Sequence, residues 1–210
     1  MHYPKTMYLF LLLLVATIHT AFAQDKAGIA RVEKIQGIEA YVMCEPLRDY
    51  DKVFDIGTGV KASSLLTGGV VNEGVADKAD QFVRFAVKEG KKENKEFDAV
   101  LISGSKTAVA IKFKTPASEQ NKGLARVKKI DGYEVYVLSE PLRDYERVVD
   151  ASGGVKAKSY FTGGLVNNSI EEDMAQFVKR IKKEAADDKK VFEAIIYSGG
   201  KSAIGVKFKG

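Results

Sequence analysis

Residues 125–145 read ARVKKIDGYEVYVLSEPLRDY, and residues 30–50 read ARVEKIQGIEAYVMCEPLRDY. In the later stretch, Asp131-Gly132 stands between two runs of β-forming residues. Asp-Gly favours a type I′ hairpin, because both central residues of that turn need φ > 0. Gln36-Gly37 holds the same place in the earlier stretch. The strand after the turn alternates, with Tyr133, Val135 and Val137 expected on one face and Glu134, Tyr136 and Leu138 on the other. Pro46 and Pro141 are expected to end the ladder, since proline has no N–H to donate.

The likeness extends outward. An offset of 95 aligns residues 28–114 with residues 123–209 without a gap, and about half of the positions are identical. This reads as a tandem duplication. Residues 24–114 form module 1, residues 123–210 form module 2, and residues 115–122, TPASEQNK, form a polar linker. Each copy is long enough to hold a small core of its own. Two copies are too few for a solenoid. Two similar domains, or one pseudo-symmetric pair packed as a pseudo-dimer, are the natural expectation.

Within a copy, a third strand is expected at 52–55 and 147–150, with VKAKSYFT at 155–162 as a candidate extra strand. A helix follows. Ser169 and Glu172 fit a capping box, and Ile170, Met174, Phe177, Val178, Ile181 and Ala185 recur at helical spacing. Val75, Ala79, Phe82, Val83 and Ala86 hold the stripe in copy one, where Gly74 replaces the serine cap. Two more strands close each copy. FDAVLIS and FEAIIYS are continuous apolar runs, and the last strand sets Val109, Ile111 and Phe113 against Ala108, Ala110 and Lys112. The expected fold class is α+β: two tandem homologous modules, each β-β-β-α-β-β, with one helix on a mostly antiparallel sheet.

Residues 1–23 read as a secretory signal peptide: Lys5, an apolar run from Met7 to Ile18, and an Ala21-Phe22-Ala23 site before Gln24. The run is shorter than the roughly 20 apolar residues of a membrane-spanning helix. An uncleaved anchor is the rival reading. No cysteine follows the cleavage site, so no lipid anchor of the lipoprotein type is expected. The expected product is periplasmic or secreted, with no transmembrane segment.

Removal of 1–23 takes both histidines and one lysine, so the formal charge falls from +5 to +4. A mild positive excess suits an anionic surface without demanding one. Export argues against a nucleic-acid partner. The single cysteine, Cys44, can form no internal disulfide. It could pair between molecules or be buried; it lies in an apolar strand and has Ser139 as its counterpart, which favours a core position.

The mature chain lacks the imidazole needed for a Ser-His-Asp triad, a Cys-His pair or a histidine metal site. The acid clusters Asp49-Asp51, Glu171-Glu172-Asp173 and Asp187-Asp188 lack the spacing of a calcium loop. They read first as helix-dipole partners. No metal and no cofactor is expected. SGGKS at 198–202 lacks the first glycine of a P-loop and precedes a strand, so it reads as a hairpin turn.

Two groups of candidate ligand-binding residues remain. The exactly repeated EPLRDY contributes Arg48, Asp49 and Tyr50, with Arg143, Asp144 and Tyr145. In the structural reading of this motif, Leu47 points to the core, while Arg48 and Asp49 bridge neighbouring elements. The Thr-Gly-Gly loops contribute Thr67, Gly68, Gly69 and Asn72, with Thr162, Gly163, Gly164 and Asn167, ahead of a helix whose free N–H groups could hold an anion, or be satisfied by Asn72 and Asn167 themselves as part of the helix entry. The lysine runs at 88–96 and 179–190 read as solvated helix faces or as contacts for an acidic glycan or membrane surface. Paired carboxylates could in principle serve glycoside hydrolysis.

The Pro-Leu-Arg-x-Tyr segment after strand two, and FDAVL leading into the final hairpin, resemble the small bacterial YbjQ-like domains and the related envelope-sensor domain of RcsF-like proteins. The likeness covers each copy separately. It implies an α+β module that self-associates through its sheets. Some of those families carry a metal-binding label, and the sensor type uses disulfides; the residues for either are missing here. A further likeness is to exported bacterial proteins without an assigned mechanism. The leading expectation is a non-catalytic binding or structural protein whose partner is another envelope protein or an anionic glycan. The alternatives are a carboxylate-dependent enzyme and an anionic-surface binder that uses its lysine faces.

Overall fold

In a computed structural model of the chain, residues 26–56, 75–103, 107–118, 121–152, 170–199 and 202–209 are described. They form a mixed α+β fold, mostly sheet, with two helices and three sheets. The first segment runs β1 (Ile29–Val32), β2 (Lys34–Ile35), β3 (Ile38–Val42), β4 (Cys44–Pro46), β5 (Tyr50–Ile56), α1 (Val75–Glu93), β6 (Ala99–Ile102) and β7 (Ala108–Phe113). The second runs β8 (Leu124–Val127), β9 (Lys129–Ile130), β10 (Tyr133–Val137), β11 (Ser139–Pro141), β12 (Tyr145–Ser152), α2 (Ile170–Asp187), β13 (Ala194–Tyr197) and β14 (Ser202–Phe208).

Each segment builds a five-stranded sheet, ordered β2-β3-β6-β7-β5 in the first and β12-β14-β13-β10-β9 in the second. The β3–β6 and β10–β13 pairs are parallel and the remaining pairs antiparallel. The third sheet, ordered β11-β1-β8-β4, draws two strands from each segment. Its centre is the antiparallel β1–β8 pair, with Ala30 opposite Ala125. Val32 meets Ser139 on one flank and Val127 meets Cys44 on the other.

Local conformation explains the exchange. Gln36-Gly37 and Asp131-Gly132 have φ of 52° and 82°, and of 51° and 87°, as a type I′ turn requires. The run ARVEKI, expected as one strand, divides at Glu33 into β1 and β2, and its counterpart divides at Lys128. The return strand divides too, at Met43 and Leu138, which have φ of 53° and 49°. The breaks are tied across segments, because Glu33 N–H donates to the Leu138 carbonyl (3.1 Å) and Lys128 N–H to that of Met43 (3.4 Å). Each hairpin therefore leaves its own sheet and enters the shared one at the same level.

The helical stripes are buried as their spacing requires, and α1 also buries Gly90. Ala108 and Ala110 of β7 lie in the core beneath the helices, where small side chains let a helix approach closely. Val109, Ile111 and Phe113 face a second core shared by all three sheets. The core beneath the helices is continuous between segments, and Lys78 of α1 meets Asp173 of α2 at 3.6 Å. Both helices end on a left-handed residue, Asn94 (φ 53°) and Lys189 (φ 54°). The next N–H reaches back to a carbonyl five residues earlier, Lys95 to Gly90 and Lys190 to Ala185, both at 2.8 Å. Among the described residues, no helix is long and apolar enough to cross a membrane.

Some expectations are corrected. Leu138 lies in the core beneath the helices, not with Glu134 and Tyr136, because its left-handed backbone breaks the strand alternation. Leu47 is 42% exposed, since it follows the end of β4 at an outer edge of the shared sheet. The third strand is longer than expected, Tyr50–Ile56 and Tyr145–Ser152, with a register shift within 52–54 and 147–149. The 155–162 segment and Ser169 of the capping box lie outside the described residues.

Left-handed geometry suits asparagine better than lysine. Lys189→Gly should therefore raise unfolding stability by about 0.5–1 kcal/mol, read from urea midpoints. Asn94→Gly should gain less.

Candidate functional site

Glu39 and Tyr41 are two residues apart on β3 and so share one face of the strand. That face is buried, and a carboxylate there needs a partner. Tyr41 Oη donates to Glu39 Oε2 at 2.7 Å, and Arg48 Nη2 donates to the same oxygen at 2.8 Å. The Arg48 and Glu39 side chains are only 7% and 9% exposed. The guanidinium carbon lies over the Phe113 ring, 3.4 Å from its centre, and Tyr41 meets that ring edge-on at 6.1 Å. One ion pair thus joins β3, the turn after β4 and the end of β7.

The second segment repeats this cluster. Tyr136 Oη and Arg143 Nη2 donate to Glu134 Oε2 at 2.7 Å and 2.6 Å. Arg143 lies 3.5 Å from the centre of the Phe208 ring. Its side chain is 20% exposed, against 7% for Arg48. Neither Arg48 Nε nor Arg143 Nε has a hydrogen-bond partner. Burial, reinforced by the hydrogen bond to the neighbouring glutamate, pushes the Tyr41 and Tyr136 phenols above their usual range.

The other EPLRDY residues play simpler parts. Asp49 and Asp144 are exposed, and their backbone carbonyls accept from Lys114 and Lys209 N–H at 3.0 Å and 2.9 Å. Tyr50 and Tyr145 donate to Glu45 and Glu140, each at 3.1 Å. Glu45 and Glu140 lie on the two opposite edge strands of the shared sheet, each held by the phenol of its own motif. The Thr-Gly-Gly candidates, Thr67, Gly68, Gly69, Asn72, Thr162, Gly163, Gly164 and Asn167, lie outside the described residues. Among the described residues, no three histidine, cysteine or acidic side chains gather as metal ligands. Cys44 is a buried free thiol, pushed up to about 12 by that burial. Its counterpart Ser139 has a buried hydroxyl without a partner.

Sequence reasoning found the arginine but missed Glu39, Tyr41 and Phe113 with their counterparts Glu134, Tyr136 and Phe208. A signal was present: E-x-Y recurs at the same offset inside an otherwise apolar strand. Beside Arg48 lies a depression of about 510 Å³, lined by Lys34, Gly37, Glu39, Arg48, Asp98, Phe113, Lys114, Thr115, Pro116 and Ala117. Comparison with protein-family models, with curated proteins and with solved structures gives no match.

Removing one partner of a buried ion pair leaves the other charge uncompensated. Arg48→Ala should destabilise the fold by about 3–5 kcal/mol, and Arg143→Ala by less because its site is wetter, as paired urea denaturation curves would show. The raised phenols give a second test. The folded state holds their protons more tightly than the unfolded chain, so their contribution is whole below about pH 10 and is lost as pH rises through the folded-state values. Stability should fall above about pH 10, and the Tyr41→Phe/Tyr136→Phe double variant should flatten that fall.

Proposed function

We propose that this chain is an exported, non-catalytic protein of two homologous modules, a binding or structural component of a bacterial envelope. The observation that carries this reading is the placement of the repeated polar motif. Arg48 and Arg143 are engaged by buried glutamates, the motif's acids Glu45, Asp49, Glu140 and Asp144 are exposed, and Tyr50 and Tyr145 are half-buried against the core and held on Glu45 and Glu140. A general acid–base pair needs two groups aimed at one reacting atom, whereas the phenol of each motif is spent on that motif's own glutamate. The likeness to YbjQ-like and RcsF-like domains, which implies association through sheets, is in keeping with the β11-β1-β8-β4 sheet shared by the two segments. On this reading the shared sheet is the contact of a pseudo-dimer within one chain.

The lysine runs give weaker support to a binding role through the helix faces. Lys92 pairs with Glu89, Lys95 with Glu93, Arg180 with Glu184 and Lys190 with Asp188. Such local pairs are those of a solvated surface and leave less charge for a partner.

N-terminal sequencing of protein recovered from the periplasm or medium should begin at Gln24; retention in the membrane with residues 1–23 attached would exclude export as a soluble protein. The mature chain should show no turnover across a broad panel of hydrolase substrates. Robust activity that survives repurification would sink the non-catalytic reading.

A further inference from the structure

The depression beside Arg48 has the chemistry of an oxyanion site. Three cations border it, Lys34, Arg48 and Lys114, with two acids, Glu39 and Asp98. Both acids are hydrogen-bonded, and the three cations still outnumber them by one. Glu39 accepts from Tyr41 and Arg48, and Asp98 accepts the Phe113 N–H at 2.8 Å. The cations are not matched to the same degree. Lys34 is exposed and makes no ion pair among the described residues. Lys114 reaches only Asp51, at 3.4 Å, with both side chains more than half exposed, a pairing of little energetic weight. Arg48 uses one of its five N–H donors on Glu39, and its buried Nε has no partner.

The charged residues recur at the same offset in the second segment with every sign kept. Lys129, Arg143 and Lys209 stand where Lys34, Arg48 and Lys114 do, and Glu193 replaces Asp98. Glu193 accepts the Phe208 N–H at 2.7 Å, as Asp98 accepts that of Phe113.

We propose that this depression binds an oxyanion, the carboxylate or phosphate group of an envelope component, with Arg48 at its floor and Lys34 and Lys114 closing over the ligand. The proposal deepens the binding role argued above and names its site. A planar guanidinium supplies directed donors, and two flexible ammonium groups supply charge that adapts to the ligand.

The test uses the full mature chain, labelled for backbone-amide NMR and titrated separately with inorganic phosphate and with galacturonate. Saturable shifts confined to the amides of Gly37, Thr115 and Ala117 are expected with at least one anion. A response to phosphate alone assigns a tetrahedral oxyanion, and a response to galacturonate alone assigns a carboxylate. Lys34→Gln/Lys114→Gln changes only exposed side chains, so the fold should persist while affinity drops at least about tenfold. Absence of saturable shifts at these amides with both anions, or unchanged affinity in the double variant, overturns the proposal. Shifts centred instead on the lysines at 88–92 would overturn this site and leave the broader binding role standing.

Discussion

The antiparallel ladder between β1 and β8 is the joint on which the fold depends. Among the described residues, β1 pairs only with β8 and β11, and β4 pairs only with β8. No described strand of the first segment satisfies the backbone groups of β1 or β4. Buried amides and carbonyls must be paired, so each segment needs the other to complete its own strands. Ala30 and Ala125 meet at the centre and are fully buried. Small side chains there let the strands sit between the five-stranded sheets.

That joint sets the position of everything polar. A hairpin that changes sheets must turn twice, at Glu33 and Met43 in the first segment and at Lys128 and Leu138 in the second. The second turn carries the chain past the buried face of β3, where Glu39 waits for a cation. Arg48 arrives from the far side of β4 and closes the cluster against Phe113. One ion pair thus fastens the returning chain to the sheet it left. Its burial makes it costly to break, and its unused donors make the adjoining depression attractive to an anion.

Much of this was legible in the residues. One hairpin turn follows from Asp-Gly, which adopts positive φ at little cost, and the other from Gln-Gly at the same place in the repeat. The helical stripes follow from spacing, and every side chain assigned to them is buried. The two faces of the last strand follow from its alternation. The misreadings share a cause. Leu47, Leu138 and the undivided first strand were each read as if the chain stayed in one sheet. Propensity and periodicity describe a strand's own faces and say nothing of a partner distant in sequence. The glutamate of the cluster was overlooked for the same reason, since its arginine is nine residues away and a change of sheet apart.

The amino-acid order by itself determined the α+β class, the turns, the helices and their buried faces, because these rest on local geometry and on periods of two and 3.6 residues. It also determined that the two segments carry the same polar residues at a constant offset. Only the tertiary structure decided that strands are exchanged between segments, that Arg48 lies buried on Glu39, and that lysines from β2 and from beyond β7 border one depression. Those outcomes depend on which distant backbone groups become partners, and sequence spacing does not encode that pairing.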